Sequence, residues 1–167
     1  SLSCQGALAL AIEEFQAVLG LDPNHITAHV LLAEAYQKQW RTDSIRYPEG
    51  LNQSLALLEN AAGMDANNPT VWNAKGVALF FQQDIEGARV SLEKAASLAD
   101  SSEMIDDRDR AEIHENLGSA YRGLGQLEQA LQSFRRAVTY NPLSATAHGN
   151  VGNTYFQLGL ENCDKAI

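Results

Sequence analysis

His25 and His29 stand four residues apart, a spacing that puts two imidazoles on one helical face, where a metal could take both. No Cys, Asp or Glu completes a ligand set at a workable spacing, so a metal site is not expected. Cys4 and Cys163 lie at opposite ends of the chain, and neither has a histidine at an equivalent place to activate it. There is no G-x-S-x-G element and no Gly-rich phosphate loop; Gly123-Leu124-Gly125 reads as turn punctuation. Catalysis and a bound cofactor are therefore not expected. What remains for function is the surface that the chain's polar side chains present.

The elements that would position these groups are short helices. Leu117, Gly118 and Tyr121 share one helical face, and Ala130, Phe134 and Ala137 form an apolar stripe at helical period. Gly123-Leu124-Gly125 separates the two groups, and Asn141-Pro142 closes the second. The stretch 114–142 thus reads as two antiparallel helices, with Gly118 and Ala130 small enough for close approach and Tyr121 and Phe134 filling the space around them. A shift of 34 carries His114 to His148, Leu117 to Val151, Gly118 to Gly152, Tyr121 to Tyr155 and Gly125 to Gly159. Trp72, Gly76, Leu79, Ala88, Leu92 and Ala95 repeat the pattern at an offset of 42, which is 34 plus eight inserted residues. Ala33, Tyr36, Leu58 and Ala61 repeat it with nine more inserted, and Ala11, Phe15 and Pro23 close a still earlier copy. His29, His114 and His148 fall where Trp72 stands, so one packing role accounts for three of the four histidines.

This pattern resembles the tetratricopeptide repeat family: a bulky residue, Leu-Gly, Tyr, Ala, Phe, Ala and Pro at set places. The departures are the two insertions, Ala66 and Asp100 at the closing Pro, and Ala33 at the Gly. The resemblance implies an all-α, right-handed superhelical solenoid of antiparallel helix pairs, with about nine helices. The organisation expected is a half repeat at 5–23, a repeat at 24–68 with an insertion at 39–50, and a repeat at 69–100. A repeat at 101–142 with an extended first helix and an incomplete repeat at 143–167 follow. That first helix is expected to start near 102, capped by Ser101 or Ser102. The chain lacks an initial Met, begins inside a repeat and stops mid-helix at Ala166-Ile167, which reads as a fragment of a longer protein.

The function implied is a non-catalytic scaffold or adaptor that holds a protein or extended peptide on its concave face, lined by the first helix of each pair. The candidate positions are Val30, Glu34, Gln37 and Lys38; Asn73, Val77, Phe80 and Phe81; Glu115, Asn116, Ser119 and Arg122; and Gly149, Asn150, Asn153 and Phe156. One of Phe80 and Phe81 is expected to be exposed there. Family members that capture a C-terminal carboxylate use Lys after the bulky residue and Asn four later. Here those places hold Val30 and Glu34, Asn73 and Val77, Glu115 and Ser119, so that mode is not expected. Members that hold a peptide backbone use a ladder of Asn just before Leu-Gly, which Asn116 and Asn150 match, whereas Leu31 and Ala74 do not. The alternatives are a regulatory or targeting segment of a larger enzyme or membrane-associated protein, and a self-association module acting through exposed terminal repeats.

The net charge of −9, from 21 acidic and 12 basic residues, argues against nucleic acid or an anionic membrane as partner. No apolar run reaches the roughly 18 residues that span a bilayer, and no signal peptide is visible; the compartment stays open, with the cytoplasm slightly favoured. A disulfide between Cys4 and Cys163 is not expected at opposite ends of a solenoid. The insertion Gln39–Gly50 carries Trp40, Arg41, Arg46 and Tyr47. It reads either as a continued helix whose aromatics pack inward or as a loop that helps to bind a partner.

Overall fold

The computed structural model describes residues 4–164, and side chains for residues 5–160. Among the described residues there are eight α-helices and no strand: α1 (Cys4–Leu21), α2 (Ile26–Thr42), α3 (Gly50–Met64), α4 (Pro69–Phe81), α5 (Ile85–Ser101), α6 (Asp107–Gly123), α7 (Leu127–Tyr140) and α8 (Ala145–Asp164). The chain is an all-α array of antiparallel packed helices. It divides into two compact units, the first ending at Asp84 and the second beginning at Ile85.

In the first unit α2 packs on α1 and α3, and α3 on α4. Its main core joins Val30 and Ala33 of α2, Leu58 and Ala61 of α3, and Val71, Ala74 and Ala78 of α4. A second cluster sets Ile12 of α1 against Leu32 and Ala35, with Phe15 and Tyr36 at its border. In the second unit α6 packs on α5 and α7, and α7 on α8. There the repeat stripe Ala130, Phe134 and Ala137 is fully buried.

The small-residue positions explain how closely the paired helices approach. A Cβ added at Gly118 would lie 2.6 Å from the Phe134 ring. Gly118 therefore exists to admit Phe134, rather than to meet Ala130. The departure at Ala33 follows the same logic: its hairpin partner is Leu58, smaller than Phe, and both are fully buried in one cluster. One extra carbon on one helix is matched by a smaller side chain on the other.

Local chemistry sets the helix ends. The Asn68 side chain accepts from the Thr70 N–H (3.1 Å) and Val71 N–H (3.4 Å), with Pro69 in the first turn. Gly125 takes φ +72 in the turn after α6, and Gln83 takes φ +67 at the matching place after α4.

Three expectations are corrected. The first helix of repeat three begins at Asp107, not near 102, because Asp106 is its cap and accepts from the Asp109 N–H at 2.8 Å. α5 instead runs on to Ser101, and Arg110 donates to the Ala99 (3.2 Å) and Ser102 (2.5 Å) carbonyls at its end, the Ala99 oxygen also accepting from the Ser102 N–H at 3.3 Å. Second, eight helices are described rather than nine, because α8 continues through Gly159 to Asp164. Gln157 stands where repeat three has Gly123, so one of the two turn glycines is missing there. Ala166 and Ile167, read as the start of that second helix, lie outside the described residues, as do the side chains of Cys4 and Cys163. Third, the 39–50 insertion is neither of its two readings alone. α2 extends to Thr42 and Trp40 packs inward, yet Ile45 is 93% exposed. Gly50 fixes its far end, since a Cβ there would lie 2.9 Å from the Tyr36 carbonyl oxygen.

Two stability outcomes follow. Gly118→Ala is expected to lower unfolding free energy by about 1–3 kcal/mol in urea melts, since the buried Phe134 ring has no room to yield. Gln83→Gly is expected to raise it by about 0.5–1 kcal/mol, because a side chain at positive φ is strained.

Candidate functional site

On the second unit, side chains of α6 and α8 converge. Arg122 Nη1 donates to Asn150 Oδ1 at 3.2 Å, and its guanidinium lies 5.2 Å from the Phe134 ring centroid. The Ser144 hydroxyl, just before α8, donates to Glu115 Oε1 at 3.0 Å, and the Ser119 hydroxyl to the Glu115 carbonyl at 3.0 Å. Glu115, Asn116, Ser119, Arg122 and Asn150 are half-buried, whereas Gly149, Asn153 and Phe156 are exposed. Of the sequence-derived positions in this unit, the bonds join Arg122 to Asn150 and Ser119 to Glu115.

The first unit divides its candidates differently. Glu34 and Lys38 are exposed, and Val77 is half-buried. Val30 belongs to the core. Gln37 is not a surface group: its amide donates to Ser54 Oγ (2.9 Å) and to the Ala74 carbonyl (3.2 Å), tying α2 to both α3 and α4. Asn73 is also buried. Phe80 and Phe81 are both half-buried, so neither is the exposed member expected. Their rings meet edge-on at 6.3 Å, and Phe81 packs on Trp40 at 6.1 Å. A small dimple of about 180 Å³, lined by Ile26, Val30, Leu31 and Glu34 of α2 with Asn68 and Thr70, opens beside the start of α4.

The histidines hold the joints between helices. Trp72 Nε1–H donates to the Ala66 carbonyl (2.9 Å) and His148 Nε2–H to the Pro142 carbonyl (3.0 Å), each six residues back at the closing position of the preceding repeat. His114 makes the equivalent bond to Asp100, which also occupies that closing position, but to its carboxylate: Nε2 to Oδ1 at 3.0 Å. A carboxylate oxygen only accepts, so Nε2 carries a proton, while Nδ1 is buried with no hydrogen-bond partner among the described residues. At the first joint His25 Nδ1 caps α2 by accepting from the Ala28 N–H (3.1 Å), and His29 Nδ1–H donates to the His25 carbonyl (3.2 Å). Sequence reasoning placed these rings correctly in the repeat but missed the bonds. The offset from His114 to Asp100, six plus the eight inserted residues, was the available signal.

Asp100 is a hub. Tyr140 donates its hydroxyl to Oδ1 (3.0 Å), Arg136 donates to Oδ2 (2.6 Å), and Tyr140 stacks on the His114 ring at 5.6 Å. Burial works to raise the Asp100 pKa, but the bonds from His114 and Tyr140 and the Arg136 charge outweigh it, and the carboxyl titrates below its usual range. The hub borders a polar cleft of about 430 Å³ between α5, α6 and α7. Along the same cleft, burial and the bond to Glu93 (2.6 Å) push Tyr121 up to about 12.

The family model described as "Tetratricopeptide repeat" matches residues 68–142, the stretch from the Asn68 cap of α4 to the end of α7. Over that stretch the chain matches the tetratricopeptide repeat family. No curated protein matches the sequence. Among solved structures it is similar to a thermophilic tetratricopeptide repeat protein of Thermus thermophilus, with a TM-score of 0.76 and 21% identity over 91% of this chain and 75% of that one. It is also similar to MamA, with a TM-score of 0.71 and 20% identity over 95% of this chain and 82% of that one. A third likeness is to the first tetratricopeptide repeat domain of Spaghetti (RPAP3), solved bound to the HSP90 peptide SRMEEVD. There the TM-score is 0.62, with 17% identity over 78% of this chain and 93% of that one. Tetratricopeptide repeat arrays typically mediate protein–protein interactions.

The Asp100 hub gives a pH test with a defined sign. A carboxyl whose folded pKa lies below its unfolded value stabilises the fold above roughly pH 4, and that contribution fades as pH falls through the folded value. Urea melts from neutral to acid pH should show Asp100→Asn less stable than the native chain near neutrality, with the gap closing in acid.

Proposed function

We propose that this repeat array is a non-catalytic binding module whose α6/α8 face, centred on Asn116, Arg122 and Asn150, holds an extended segment of a partner protein. The observation that carries the reading is the convergence of Arg122 on Asn150 beside half-buried Asn116 and Ser119. That face offers donors and acceptors in alternation, as a peptide backbone requires. Phe156, 69% exposed, adds an apolar contact of the kind that anchors interfaces. The Spaghetti domain, with its bound HSP90 peptide, supports peptide capture as a use of such a fold. The manner of capture differs, because Lys and Asn at the carboxylate-holding places are replaced by Val30 and Glu34, Asn73 and Val77, and Glu115 and Ser119. The partner segment is therefore internal rather than a chain end.

The test uses a peptide selected from a random display library against the native chain. Asn116→Ala combined with Asn150→Ala should weaken its binding about tenfold or more, through the loss of two amide contacts, with helix content by circular dichroism unchanged. Equal affinity in the double variant would remove the Asn ladder from the account.

A further inference from the structure

Residues up to Asp84 contain four Lys and Arg side chains: Lys38, Arg41, Arg46 and Lys75. Lys75 pairs with Glu59 at 3.7 Å and lies 5.5 Å from the Trp72 ring centroid. The other three fall together, on the last turns of α2 and in the 39–50 insertion, and all are exposed. Among the described residues none of these three is ion-paired. The two carboxylates of the insertion are engaged locally: Asp43 accepts from the Arg46 N–H at 3.0 Å, and Glu49 from the Asn52 amide at 2.9 Å. Three cations against two carboxylates leave residues 38–50 a net charge of +1 within an otherwise acidic chain, and the two carboxylates are held by neutral donors rather than by these cations.

The cluster is built on aromatic rings. The Arg41 guanidinium lies 4.9 Å from the Phe81 centroid, and Phe81 is held in turn by Trp40 and Phe80. The Arg46 guanidinium lies 5.4 Å from the Tyr47 centroid. A guanidinium lying on a ring keeps its in-plane N–H donors facing outward and loses little freedom when a carboxylate arrives. Gly50, pressed against the Tyr36 carbonyl and Trp40, pins the far end of the insertion to α2. Ile45 stands beside these charges, 93% exposed. Two fixed forks, a flexible ammonium and a bare aliphatic side chain together match carboxylates alternating with an apolar residue.

We propose that the edge formed by Lys38, Arg41, Ile45 and Arg46 around Phe81 docks an acidic segment of a partner protein. A short acidic peptide suits it better than a long polyanion, which would also meet the repulsion of the chain's net charge of −9. This surface lies in the first unit and is independent of the α6/α8 face proposed above.

The test titrates the native chain into a fluorescein-labelled peptide of three Glu-Glu-Leu triplets at low ionic strength. The matching Gln-Gln-Leu peptide and a short labelled oligothymidylate are run in parallel, all followed by anisotropy. The glutamate peptide should bind saturably, weaken as salt rises, and outbind the other two probes at least tenfold. Arg41→Glu with Arg46→Glu should abolish that preference. Arg46→Gln, in the exposed insertion away from the core, should weaken it severalfold with an unchanged melting curve. Asn116→Ala with Asn150→Ala should leave it intact, so the two surfaces are read separately. The proposal is overturned if the glutamate peptide fails to bind, if Arg46→Gln binds it as well as the native chain does, or if the oligothymidylate binds as tightly, which would make the edge a phosphate site.

Discussion

Short helices cannot bury their own apolar faces, so the fold rests on how closely two of them approach. In the second unit that approach is set by Gly118, whose missing side chain is the space the Phe134 ring occupies. In the first unit Ala33 and Leu58 divide the same space differently. These two hairpins thus fix a helix spacing through one small-against-large pair, and the alanines around it keep the rest of the interface tight. The proposed α6/α8 face depends on this spacing, because Arg122 reaches Asn150 only while α6 and α8 are held at one separation by α7 between them.

A second constraint orients one helix pair on the next. The ring nitrogen at the bulky position of a repeat bonds the closing residue of the repeat before it, in Trp72 and His148 through a backbone carbonyl and in His114 through the Asp100 carboxylate. This relation gives His114 and His148 the role of Trp72, which spacing alone read as packing, whereas His29 bonds the His25 carbonyl instead. It also explains why Asp is acceptable where the family has Pro: the residue trades a rigid stop for a side-chain acceptor.

Much of the fold was legible because periodicity, small residues and turn punctuation agree over several copies. The helix pairs at 69–100 and 114–142 are cases where every local signal points the same way. What escaped the sequence was decided by contacts between distant residues. The start of α6 turned on whether Asp106 or a serine caps it, a choice settled by Arg110 reaching back to α5. Gln37 looked like a surface amide because helical phase cannot tell a groove from a buried seam, and the bonds to Ser54 and Ala74 decide it. Phe80 and Phe81 were ambiguous for the same reason, and their burial depends on Trp40, which an insertion delivers from α2. The α6/α8 face was the most readable part of the candidate site, since Asn116 and Asn150 recur at one place in the repeat.

The Asp100 joint has a consequence for how such chains tolerate extra sequence. Eight residues are spliced between two repeats, yet the bond that orients the following helix survives, because the acceptor moves from main chain to side chain. Connector length and stacking geometry are thereby decoupled. A protein engineer could lengthen another linker of this array by placing an acidic residue at the end of the preceding helix and a histidine at the head of the next.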